Sequence, residues 1–116
     1  MTAILDTSFL FALTNKSDRN HSRVFTVAKT LSEPLILPTS VLPEVCYLIS
    51  SRLGHQIMRH FLVELAASDI RLESIHFEDL ERVNEILEQY ADSQLDFTDT
   101  TIIALAEREH QSHLDA

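Results

Sequence analysis

The chain has 116 residues, 45% of them hydrophobic, with one glycine, three prolines and a formal net charge of −9. That composition fits one packed domain over residues 1–116; it excludes a low-complexity linker, a disulfide framework (Cys46 is the only cysteine) and a zinc site of Cys/His spacing. No run of about 18 apolar residues exists, so no membrane span is expected, and the opening Met1-Thr2-Ala3-Ile4-Leu5-Asp6 lacks the positive start of a secretory signal, leaving a cytoplasmic protein as the default.

Thr2 to Leu5 is a short apolar run ending at an acid and reads as a buried first strand. Thr7 to Leu13 reads as a helix, with Asp6 or Thr7 placed to cap it. Asn15 to Asn20 is a polar turn. His21 to Leu31 carries Val24, Val27, Ala28 and Leu31 at helical spacing, and Glu33-Pro34 ends it. Leu35-Ile36-Leu37 is a second apolar strand, closed by Pro38. Thr39 and Ser40 are N-cap candidates for a helix from Val41 to Arg52, with Pro43 in its first turn, where a missing N–H costs little. Leu53-Gly54 terminates that helix. His55 to Ala67 carries Ile57, Phe61 and Leu65 in one stripe. Asp69 to Ile75 alternates through Ile70 and Leu72 as a third strand. Phe77, Leu80, Val83, Leu87 and Tyr90 line one face of a helix over 77–90. A loop over 92–95 precedes a last helix from Thr98 to His110. Short strands alternating with helices predict an α/β domain with a parallel sheet, whose ligands sit beyond the carboxyl ends of the strands.

Acids stand where this pattern expects apolar side chains. Glu44 lies three residues after Val41 and four before Leu48, on the apolar stripe of its helix. Asp99 precedes Ile102 and Ile103, read as the buried side of the last helix, by three and four residues. Asp6 ends the first strand. Each has an ordinary alternative: a salt bridge for Glu44, an N-cap for Asp6, an acidic cap for Asp96 near Asp99. A set of carboxylates without His or Cys selects a hard cation such as Mg²⁺ or Mn²⁺, which activates water for attack on phosphorus. Cys46 reads as a small core or rim residue, the Phe9-Leu10-Phe11 run as core, and no histidine as a ligand. The charge is lopsided. Residues 1–59 hold six basic and four acidic residues, a balance of +2, whereas residues 60–116 hold three basic and fourteen acidic ones, a balance of −11. The acidic excess reads as solvated helix faces.

Three segments, Ile4-Leu5-Asp6-Thr7-Ser8-Phe9-Leu10, Thr39-Ser40-Val41-Leu42-Pro43-Glu44-Val45 and Leu95-Asp96-Phe97-Thr98-Asp99-Thr100-Thr101-Ile102-Ile103-Ala104-Leu105-Ala106, occur in an order and context that resemble the PIN-domain family, and within it the VapC-type toxins. The resemblance spans roughly residues 2–110 and implies a three-layer α/β/α fold with a short central parallel sheet. It implies an Mg²⁺- or Mn²⁺-dependent ribonuclease acting on RNA, with Asp6, Glu44 and Asp99 as metal ligands. Asp96 matches a frequent additional acid and Ser8 a supporting hydroxyl. A homodimer and an antitoxin partner are implied as well. The family continues past the last helix into a further strand and an acidic loop. Residues 109–116 are polar and lack a strand-like run, so the last strand is expected to be missing, with Asp115 a candidate substitute for the lost acid. A PIN-like domain that binds metal, RNA or antitoxin without turnover is therefore the competing expectation. A receiver-like domain fails, because Pro38 rather than an Asp follows the second strand.

Overall fold

A computed structural model describes residues 3–16 and 34–115. The helix expected over 21–31, the turn over 17–20 and the basic residues Arg19, Arg23 and Lys29 lie outside the described residues, as does the side chain of Asp115. The described elements run β1 (Ala3–Ile4), α1 (Thr7–Lys16), β2 (Leu35–Pro38), α2 (Leu42–Leu53), α3 (His55–Ala66), β3 (Arg71–Glu73), α4 (Asp79–Gln89), a 3₁₀ turn (Ala91–Ser93) and α5 (Phe97–Asp115). The chain has the expected α/β/α architecture.

The sheet is parallel, in the order β1-β2-β3. Ala3 aligns with Leu35 and Ile4 with Ile36, while Ile36, Leu37 and Pro38 align with Arg71, Leu72 and Glu73. Strand β2 is central and all four of its residues are buried, as an unbroken apolar run in a parallel sheet requires. Leu35 and Leu37 join Leu5, Leu10, Val41, Val45, Ile49, Phe61 and Leu65 in the main core, which packs α1, α2 and α3 on the sheet. Strand alternation sends Ile36, itself buried, to the other face; α5 runs against β2 and pairs with α4.

Between α2 and α3 the chain turns at Gly54, the only glycine. Its φ of 114° lies where L side chains are strained, and its N–H closes α2 by donating to the Ile49 carbonyl at 3.0 Å. Among the described residues no helix is long and apolar enough to cross a membrane.

Several expectations need correction. Helix α1 extends to Lys16, through the start of the expected turn, and α5 reaches Asp115 rather than ending at His110. Strand β3 is three residues long, and Leu72 is half exposed because β3 is an edge of the sheet. Phe9 is exposed rather than core, while Phe11 packs against the core and carries the Arg52 guanidinium 5.9 Å above its ring. The buried residues of α4 are Asp79, Val83 and Ile86, whereas Phe77 precedes the helix and is 88% exposed. The cause is Asp79, drawn inward because its carboxylate accepts the His76 N–H at 2.8 Å and pairs with Arg108 at 2.9 Å.

Candidate active site

The carboxyl ends of β1 and β2 run directly into the starts of α1 and α2, so the acids that follow them are presented at one rim of the sheet. Leu5 donates its N–H to the Ile36 carbonyl at 2.8 Å, the last backbone tie before Asp6. Asp6 then caps α1, its Oδ1 accepting the Phe9 N–H at 2.8 Å. Such a cap is worth about 1 kcal/mol. Asp96 repeats the device at α5: its Oδ1 accepts the Asp99 N–H at 2.8 Å, and its carbonyl accepts the Thr100 hydroxyl at 2.7 Å. Each capping carboxylate keeps a second oxygen free of its cap. Glu44 stands in the first turn of α2.

The electrostatics of Asp99 tie these positions together. Its carboxyl is pushed above its ordinary value of 3.8, first by partial desolvation, then by the charge of Asp96 and a hydrogen bond with it, then by the charges of Glu44 and Asp6. The positive end of α5 would favour the anion; desolvation and three like charges outweigh it. Asp6, Glu44, Asp96 and Asp99 therefore share one acidic neighbourhood assembled from three separate segments. It is a loose neighbourhood: among the described residues no three acids, histidines or cysteines are arranged to hold a metal ion. Ser8 is exposed on the first turn of α1, and its hydroxyl bonds to none of the four acids.

The burial argument from sequence is corrected here. Asp6, Glu44, Asp96 and Asp99 are all exposed. They occupy first turns and cap positions at the rim, while their neighbours Val41, Val45 and Thr100 take the buried side of the same turns. The fully buried side of α5 is Thr100, Thr101, Ala104 and Leu105; of the residues expected there, Ile102 packs partly buried against the core, whereas Ile103 and Ala106 are exposed. Two threonines can be buried because each hydroxyl donates to a carbonyl of its own segment, Thr100 to Asp96 and Thr101 to Thr98 at 2.6 Å. Cys46 packs against the core, and burial pushes its thiol up, which suits an inert residue.

The sequence marks two hydroxyls at this rim, Ser40 and Thr7, only as helix-cap candidates, and the structure gives them other settings. Ser40 and Thr101 are hydrogen-bonded to each other at 2.8 Å. Thr7, beside Asp6, is buried, and its hydroxyl has no partner among the described residues. For Thr101 the signal is the adjacent pair Thr100-Thr101, two polar residues inside an apolar helical run.

Residues 3–114 match the family model of the PIN domain. The chain belongs to the PIN-domain family. Ribonuclease VapC26 of Mycobacterium tuberculosis is 27% identical to this PIN domain over 105 residues, which cover 90% of this chain and 78% of that protein. The crystal structure of VapC20 from the same organism, described as a Sarcin-Ricin loop cleaving toxin, superposes with a TM-score of 0.76 at 22% identity, covering 95% of this chain and 84% of that one. At that identity the likeness speaks for the PIN fold.

Proposed function

We propose that this PIN domain is an endoribonuclease of toxin–antitoxin type, hydrolysing RNA phosphodiesters with Mg²⁺ or Mn²⁺ held by Asp6, Glu44, Asp96 and Asp99. The observation that carries the reading is the load that three other acids place on Asp99. A cluster of like charges costs stability unless something positive offsets it. The donor set fits a hard divalent cation, because every donor is a carboxylate oxygen and the nearby Cys46 thiol stays protonated. Held by these carboxylates, a divalent ion would supply Lewis-acid polarisation of a phosphoryl oxygen and activation of water. The chain's own part is to hold and orient. Asp6 and Asp96 are pinned by their caps, and Glu44 and Asp99 reach the rim from the first turns of α2 and α5.

RNA as substrate draws support from the relative named Ribonuclease VapC26. An antitoxin partner belongs to the same proposal, through the resemblance to VapC-type toxins. All three basic residues of 60–116 are committed to ion pairs: Arg71 to Glu73 and Glu109, Arg82 to Glu85 and Glu107, Arg108 to Asp79 and Glu73. Phosphate contacts therefore fall to the cations of residues 1–59. A homodimer, a cytoplasmic setting and a role for Ser8 in supporting the site belong to the same proposal.

The test is cleavage of a mixed pool of structured RNAs by the 116-residue chain in Mn²⁺, with EDTA and Glu44→Gln alongside. Cleavage should need the metal and fall at least about 100-fold in the variant, as loss of a ligand exceeds the usual cost of a supporting group. Cleavage that persists in EDTA would overturn the reading. A folded chain that binds Mn²⁺ and cuts nothing would leave a PIN domain that only binds.

A further inference from the structure

The sequence marks Ser40 as a cap for α2, and the structure uses it elsewhere. The N-cap of α2 is Val41, and no side chain caps that helix. A serine cap would contribute about 1 kcal/mol, so the hydroxyl has been drawn from a favourable local role to a distant one. Its partner, Thr101, is 61 residues away in sequence and fully buried.

The direction of this bond follows from proton counting. A hydroxyl has one proton. Thr101 gives its proton to the Thr98 carbonyl, which can only accept, at 2.6 Å. Ser40 must therefore donate to Thr101 Oγ1, 2.8 Å away. The chain of donors runs one way, from Ser40 through Thr101 to the backbone of α5's first turn. Both ends are anchored. The Thr39 N–H donates to the Glu73 carbonyl and the Val41 N–H to the Pro38 carbonyl, each at 3.0 Å, so the turn holding Ser40 is tied to β2 and β3. Thr101 sits in the buried face of α5 and cannot swing away.

The two acids that most need a set spacing lie just beyond these residues. Glu44 is four residues after Ser40, one helical turn on; Asp99 is two residues before Thr101. No other side-chain hydrogen bond among those described joins the start of α2 to the start of α5. We infer that Ser40 and Thr101 are positioning residues, a hydroxyl bridge that sets the distance between the Glu44 and Asp99 carboxylates across the rim. The inference rests on the proposed carboxylate metal site. Groups that orient ligands in this way typically matter about 10-fold or more in metal affinity, while a neutral hydrogen bond contributes only modestly to the fold.

The experiment is calorimetric titration of the 116-residue chain with Mn²⁺ alone, with melting curves for every variant. Ser40→Ala should weaken Mn²⁺ binding about 10-fold and keep a cooperative melt. Ser40→Thr, which restores the hydroxyl, should recover the affinity. Thr101→Val, which keeps the buried shape, should weaken binding as Ser40→Ala does and serves in its place should Ser40→Ala fail to fold. The double variant should lose no more than either single one, as partners in one interaction must. Glu44→Gln is titrated beside them. If it abolishes binding while Ser40→Ala binds like the parent, the site stands and the bridge has no positioning role. Losses that simply add in the double variant also overturn the pairing. If Glu44→Gln binds Mn²⁺ unchanged, the carboxylate site itself is wrong and the bridge falls with it.

Discussion

Asp99→Asn should make the metal-free protein more stable at neutral pH while removing its Mn²⁺ binding and its nuclease activity. The two effects have opposite signs because one carboxylate carries both. Its carboxyl is pushed above the ordinary value of 3.8 by desolvation and by Asp96, Glu44 and Asp6. Between 3.8 and the raised value the folded chain keeps a proton that the unfolded chain has lost, so stability falls as pH rises through that window. Above it the penalty is complete. The variant's advantage in melting temperature should therefore be full at pH 7 and vanish as the pH falls toward 3.8. The parent's Mn²⁺ affinity should weaken over the same window, because protons compete with metal for the carboxylate. Activity should fall at least about 100-fold, as for loss of any group more central than a ligand's support. Melting curves with and without Mn²⁺ across pH separate these effects. A variant no more stable than its parent at pH 7 would show that the acidic cluster carries no internal repulsion. A variant that keeps its Mn²⁺-induced rise in melting temperature would remove Asp99 from the site.

The order of strands and helices was legible because β2 is apolar at every position and the surrounding helices carry stripes of three and four residues. What failed was the assignment of faces. Periodicity counts apolar residues, so it put Phe77, Leu80 and Tyr90 inside, yet all three are exposed, while Asp79 is buried. The same bias put Ile103 inside α5 and left out Thr100 and Thr101, whose hydroxyls are satisfied within their own segment. At the site, Asp6, Glu44, Asp96 and Asp99 were legible as acids at the starts of elements. The reason assigned to Glu44 and Asp99, burial against the core, does not hold, since both are exposed at the rim. The Ser40–Thr101 bond was illegible because a serine before a helix has a local explanation, and nothing local points 61 residues onward.

Arg108→Met should be among the most damaging single substitutions away from the core, at about 2–4 kcal/mol, toward the cost of breaking a buried ion pair. Arg108 donates to the Ser74 carbonyl at 3.0 Å, contacts Glu73 at 3.4 Å, pairs with Asp79 at 2.9 Å and is hydrogen-bonded to His76 Nδ1. It thereby joins α5 to the end of β3 and the start of α4. The Asp79 side chain is only 10% exposed. Methionine keeps the apolar stem but leaves that carboxylate without its cation, still held by the His76 N–H. Most of the cost is the stranded charge, so Asp79→Asn in the Arg108→Met background should recover part of the loss, and urea denaturation of the four proteins measures the coupling. Arg82→Met gives the contrast. Its pairs with Glu107 and Glu85 lie at the surface, and exposed pairs contribute little, so its midpoint should stay near the parent's. Equal midpoints for Arg108→Met and the parent would mean that solvent, not Arg108, satisfies Asp79. The Arg108 cluster also lies nine residues along α5 from Asp99, and the Ser40 bridge holds the near end of that helix. Mn²⁺ affinity should therefore survive Arg108→Met at temperatures where the variant is folded, which separates what keeps α5 in place from what sets its first turn against Glu44.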